Sequence, residues 1–177
     1  MFTQNIPSLA RPGVWSDPEF NNGFTGRVYD NNKSGKTTVE RVSSGYPSGI
    51  PNNTGYALKI TNTGAGTNPG LGGFYLDCRP ASLPASGLKL VEITINAWIP
   101  EGYMLKMAGN TPGTGGSFRM DTTGKGAGEW RTYAAHIMFG PGASAVGHWY
   151  LTGTAGTESA PVTWYVAGVY INQISDG

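Results

Sequence analysis

Val91-Glu92-Ile93-Thr94-Ile95-Asn96-Ala97-Trp98-Ile99 puts an apolar residue at every second position. A period of two, with β-branched residues leading the apolar set, is the pattern of a half-buried strand. With Val91, Ile93, Ile95, Ala97 and Ile99 turned to a core, Glu92, Thr94, Asn96 and Trp98 face the other way. Residues 130–139 repeat the pattern, with Tyr133, Ala135, Ile137 and Phe139 alternating against Thr132, Ala134, His136 and Met138. These two stretches are among the longest free of glycine and proline, and neither reads as a helix.

Shorter alternating pieces predict further strands at 24–29, 37–42, 56–61, 73–79, 103–108, 118–122, 148–152 and 164–173. The segments between them are rich in Gly, Asn, Thr and Pro, the turn chemistry of antiparallel strands. Glycine (28) and proline (12) make 40 of the 177 residues, which leaves helices of ordinary length almost nowhere to form. The expected fold is all-β: an antiparallel two-sheet β-sandwich of jelly-roll type spanning residues 23–177. Residues 1–22, broken by Pro7, Pro12 and Pro18, read as an N-terminal arm or linker.

Charged residues are only 13% of the chain, and 12 Lys+Arg against 11 Asp+Glu leave a net charge of +1. So low a charged fraction makes a disordered polyampholyte a poor fit, and the scattered cations give no basic stripe for nucleic acid. No apolar run nears the roughly 20 residues of a membrane span, so insertion in a bilayer is not expected. No secretory signal is visible at the start. One cysteine, Cys78, excludes an intrachain disulfide and is expected to be a buried thiol.

Catalytic motifs are missing. The segment 142–146 lacks the second glycine of a nucleophile elbow, and His136 and His148 have no metal-binding spacing. Lys33-Ser34-Gly35-Lys36-Thr37 echoes a phosphate loop, but Asp30 stands where its first glycine belongs. Eleven carboxylates leave a glycosidase-type pair open in principle. The expectation is a non-catalytic domain without cofactor or metal.

Strand alternation instead turns a set of polar and aromatic residues outward on each strand. Trp98, Asn96 and Glu92 share one face of their strand; Trp130 and His136 lie on the polar face of theirs; Arg119 and Asp121 oppose Phe118 and Met120. Rings stack on sugars while amides and charged groups bond their hydroxyls, so Trp98, Asn96, Glu92, Trp130, Arg119 and His136 are the candidate glycan-binding residues; only the resemblance given below implies that their strands are neighbours. Tyr75, Asp77 and Arg79 alternate away from Phe74, Leu76 and Cys78, either extending a binding face or forming a solvated one. Trp149 and Trp164, among apolar neighbours, are expected to pack inside.

The order of "GYALKIT" (55–61), "VEITINAWIP" (91–100), "GEWRTYAAHI" (128–137), "HWYLTG" (148–153) and "VTWYVAGVYINQI" (162–174) resembles the carbohydrate-binding-module, galactose-binding-like jelly roll. The last 75 or so residues are similar to domains of bacteriophage tail fibres and tail-associated virion proteins. The resemblance implies attachment to a bacterial surface glycan, multivalent display, contacts with other tail subunits or a homo-oligomer, and a place in the virion. A ligand-free structural spacer, a depolymerase, and a module of a secreted polysaccharide-degrading enzyme are the alternatives. Related modules often hold a structural calcium, but here the closing strand carries no acid. Asp17 and Glu19 alone fall short of the 6–8 oxygens calcium takes.

Overall fold

The computed structural model describes residues 17–30, 35–64, 70–77, 89–110, 118–119, 122–139 and 146–173. Among them there is no helix. Eleven strands run in the order β1 (Arg27–Tyr29), β2 (Thr37–Val42), β3 (Ala57–Asn62), β4 (Gly70–Asp77), β5 (Lys89–Trp98), β6 (Met104–Asn110), β7 (Phe118–Arg119), β8 (Thr122–Lys125), β9 (Trp130–Phe139), β10 (Val146–Thr152) and β11 (Val162–Gln173). They form two antiparallel sheets, β1-β4-β10-β6-β8 and β2-β3-β11-β5-β9-β7. The sandwich expected from the alternation is present.

The decisive stretch behaves as its period requires. Val91, Ile93, Ile95, Ala97 and Ile99 are at most 2% exposed, while Glu92, Thr94, Asn96 and Trp98 are half-buried on the outer side. Between the sheets Phe74 stacks on Trp149 (centroids 5.2 Å, 18°) and lies 6.0 Å from Trp164. Both tryptophans are 1% exposed, the packing role expected of them.

Two local features depart from simple alternation. The strand expected over 118–122 is divided: β7 pairs with β9 in one sheet, and β8 pairs with β6 in the other. The chain changes sheet here, a step that no local periodicity encodes. In β11 a bulge between Val166 and Gly168 inserts one residue, Ala167. Tyr165 and Tyr170, five residues apart, consequently both point outward, opposite Trp98 and Thr94. Strict alternation would have sent them to opposite faces.

The N-terminal boundary also has structure. Residues 1–16 lie outside the described residues, but 17–22 are bound to the sandwich. Phe20 is fully buried, edge-on to Phe24, which in turn meets Phe74 edge-on. Phe20 takes a left-handed backbone (φ 57°). The turn is held by Asp17, whose carboxylate accepts from the N–H groups of Asn21 (2.8 Å) and Asn22 (2.6 Å). Arg41 donates to the carbonyls of Phe20 (2.6 Å) and Asn21 (2.7 Å) while lying over the Tyr56 ring.

Candidate functional site

The outer face of the six-stranded sheet carries most of the residues predicted to bind. The β5–β9 register sets Glu92 opposite His136, Asn96 opposite Thr132 and Trp98 opposite Trp130. His136 Nε2 lies 3.3 Å from Glu92 Oε2, and Thr132 donates to Asn96 Oδ1 at 2.7 Å. Arg119 is out of step with this row: it pairs with Ile137, the neighbour of His136. Its side chain, like Asp121, Cys78 and Arg79, lies outside the described residues.

Much of this face is already engaged by the chain itself. The loop 43–56 folds back over it. Trp130 donates its indole N–H to the Pro47 carbonyl (3.1 Å), the Asn96 amide donates to Pro51 (3.4 Å), and Tyr165 donates to Gly45 (3.1 Å). Asn52 pins the loop's far end, donating to the carbonyls of Tyr56 (2.6 Å) and of the bulge residue Ala167 (2.7 Å). The Trp130 indole N–H and the Asn96 amide thus serve contacts within the chain, while Glu92 and His136 meet each other and stay partly exposed. Trp98 is different. It stands in a separate groove beside the loop, edge-on to Tyr165 (6.2 Å, 72°), and its indole N–H has no partner among the described residues.

The opposite, five-stranded sheet presents a second set of residues. In the register, Tyr29, Gly73, Tyr150, Lys106 and Thr123 form one row across all five strands. Beside it runs Arg27, Tyr75, His148 and Ala108. Neighbours Phe74, Leu76, Trp149, Leu105 and Met107 are core, so alternation turns Tyr75, Tyr150 and Lys106 outward. Gly73 is needed between them, because a Cβ there would collide with the Trp149 carbonyl oxygen. The missing side chain leaves a dip with rings on both sides.

The rings meet. Tyr29 lies 5.2 Å from Tyr75 (85°) and 5.6 Å from Tyr150 (55°). Burial, reinforced by Tyr75 and Tyr150, raises the Tyr29 pKa above its ordinary value. Its phenol therefore stays neutral at neutral pH. The Arg27 guanidinium sits 5.4 Å from the Tyr75 ring centroid, within cation–π range. Neither Arg27 nor Lys106 hydrogen-bonds to a described residue.

The periodic reading of β4 had placed Tyr75 outward, one signal for this face. Tyr29, Tyr150 and Lys106 were missed because their partnership depends on β1, β4, β10 and β6 becoming neighbours, and no local pattern specifies that order. The acids considered for calcium are engaged: Glu19 accepts from the Tyr170 hydroxyl and from the Asn53 N–H, each at 3.0 Å. Among the described residues no group of three or more His, Cys, Asp or Glu is arranged to hold a metal. No helix there is long and apolar enough to cross a membrane.

Neither a protein-family model nor a curated protein sequence matches the chain. Solved structures match it by fold. The unliganded CBM1 of BiXyn10A superposes with a TM-score of 0.54 at 14% identity, covering 87% of this chain and 94% of that one. The CBM22-1 xylan-binding domain of Paenibacillus barcinonensis Xyn10C gives 0.51 at 16% identity, covering 90% and 94%. A sugar-binding protein, so described, of Bacteroides thetaiotaomicron gives 0.51 at 10%, covering 92% and 100%. None of the three is described as a tail-fibre protein. At such identities the likeness is one of architecture: this chain has the β-sandwich fold of carbohydrate-binding modules.

Proposed function

We propose that the chain is a non-catalytic carbohydrate-binding domain whose glycan site is the tyrosine face of the five-stranded sheet. The observation that carries this reading is the register that gathers Tyr29, Tyr75 and Tyr150 around Gly73, with Arg27 and Lys106 at the margin. Half-buried rings supply apolar area against the C–H faces of a sugar, and the cations donate to its hydroxyls or carboxylates. The fold shared with carbohydrate-binding modules supports the reading.

The test is affinity electrophoresis of the chain through gels holding plant and bacterial polysaccharides. Retardation by at least one glycan is expected, with a loss of about tenfold or more in affinity for Tyr150→Ala, the size expected when a central aromatic anchor is truncated. Migration unaffected by every glycan, or equal retardation of Tyr150→Ala, would overturn the proposal.

Two settings follow from it. Attachment of a phage tail fibre to a host-surface glycan, with other tail subunits as partners, rests on the sequence resemblance alone. A module of a secreted polysaccharide-degrading enzyme is favoured by the fold neighbours being carbohydrate-binding modules. Binding by the isolated chain to bacterial cells, against binding to plant cell-wall polysaccharide, separates the two.

A further inference from the structure

The groove around Trp98 is a second place where rings and hydroxyls come together. It encloses about 770 Å³, within the roughly 300–1,000 Å³ of small-ligand sites. The 43–47 turn forms one side and residues 100–103 and 155–161 the other, with Trp98 and Tyr165 between them. Four rings line it, those of Tyr46, Trp98, Tyr103 and Tyr165. The Tyr46 and Tyr165 hydroxyls are engaged, donating to the carbonyls of Gly55 (2.7 Å) and Gly45 (3.1 Å). The Trp98 indole N–H and the Tyr103 and Thr163 hydroxyls bond to no described residue.

That set matches the surface of a sugar ring. A pyranose carries apolar C–H faces that lie against aromatic rings, and hydroxyls that both donate and accept. The two unengaged hydroxyls of the groove can do the same, and the indole adds a donor that a sugar oxygen can accept.

Charge narrows the class of sugar. No charged side chain lines the groove, and the charged residues in the segments that form it, Glu101 and Glu158, are both acids. Glu158 is paired with Lys36 (3.1 Å), while Glu101, beside Pro100 in the wall, is exposed. A sugar carboxylate would find no cation here and a like charge close by, whereas a neutral sugar needs neither. The tyrosine face, with Arg27 and Lys106 at its margin, has the opposite preference.

The groove is also preformed. The Tyr46 bond to Gly55 braces the loop from within, and Trp130 and Tyr165 tie the same loop to the sheet. On the other side the Tyr103 ring lies against Gly153, where a Cβ would run into it. The walls are therefore held before any ligand arrives, which lowers the ordering cost of binding.

From the four rings, the three unengaged polar groups and the uncharged, acid-flanked lining we infer that the Trp98 groove is a second carbohydrate site, selective for neutral sugar units and separate from the tyrosine face. The inference rests on the reading of the chain as a carbohydrate-binding domain and gives that domain two sites of opposite charge preference.

The test titrates the full chain carrying Tyr150→Ala, which weakens the tyrosine face, with cellohexaose, xylohexaose and mannohexaose, and with hexagalacturonate as the acidic control. Binding is followed by tryptophan fluorescence and calorimetry. Saturable binding of at least one neutral hexasaccharide is expected, and none of hexagalacturonate. Adding Trp98→Ala should weaken that binding about tenfold or more, as for a central aromatic anchor. Trp98→Phe keeps a ring and removes the N–H, so a several-fold loss is expected there even if Trp98→Ala does not fold. No saturable change with any neutral hexasaccharide up to millimolar concentration, or equal affinity in Trp98→Phe, overturns the inference and leaves the tyrosine face standing. Hexagalacturonate bound as tightly as the neutral sugars overturns it too. A native chain that binds the neutral sugars no better than Tyr150→Ala does, and does not bind hexagalacturonate, would instead overturn the tyrosine face and leave the groove intact.

Discussion

Phe20 shows how one side chain ties a segment to a fold. It is fully buried although it belongs to a stretch broken by prolines, and it reaches the core through a left-handed turn. Phe20→Ala is expected to cost about 3–5 kcal/mol, the range for deleting a buried aromatic. A denaturant midpoint within error of the native chain would show that the segment adds nothing. Tyr170 makes a pH-dependent contribution. Burial first, and then its hydrogen bond to Glu19, push its pKa to about 12 from 10.0. The folded state therefore holds this proton more tightly than the unfolded one. The associated stability is complete below pH 10 and is lost as pH rises toward 12. The gap in melting temperature between the native chain and Tyr170→Phe should shrink across that interval. A constant gap would contradict the assignment.

At the scale of elements, the loop 43–56 and the β11 bulge form one device. The bulge turns Tyr165 outward under the loop and exposes the Ala167 carbonyl, which accepts the Asn52 amide. Asn52→Ala removes that bond, the one to Tyr56, and the Gly55 N–H contact to Asn52 Oδ1 (3.1 Å). Leaving buried backbone groups unpaired costs about 1–3 kcal/mol. Hydrogen exchange should accelerate across 43–56 while β5 and β9 stay protected. Uniform acceleration of the whole sandwich would mean that the loop is not a separable unit. The same loop lies over the face predicted to bind sugar. Alternation correctly turned Asn96 and Trp130 outward, and a non-local loop then took their donors.

For the whole molecule, two outward aromatic surfaces on opposite sheets carry different chemistry. The tyrosine face has two cations at its edge, and the Trp98 groove has none in its lining. A uronate-bearing glycan should therefore bind the chain more tightly than a neutral one. That advantage should fade as salt rises from about 0.1 to 1 M and the screening length falls from roughly 10 to 3 Å. Glycan affinity that is indifferent to both charge and salt, measured by calorimetry, would remove Arg27 and Lys106 from the site.

Periodicity and the turn residues between strands carried the reading from Val91–Ile99 to a two-sheet sandwich, and apolar neighbours in the sequence put Trp149 and Trp164 inside. Alternation is a local property, and burial of one strand face follows from it directly. It also turned Trp98 and Tyr75 outward. Which outward residues meet was settled only in the tertiary structure. Strand order, the sheet change between β7 and β8, the bulge at Ala167 and the folded-back loop are contacts between residues far apart in the chain. Their cause is the packing of whole sheets, which leaves no periodic mark on any single strand.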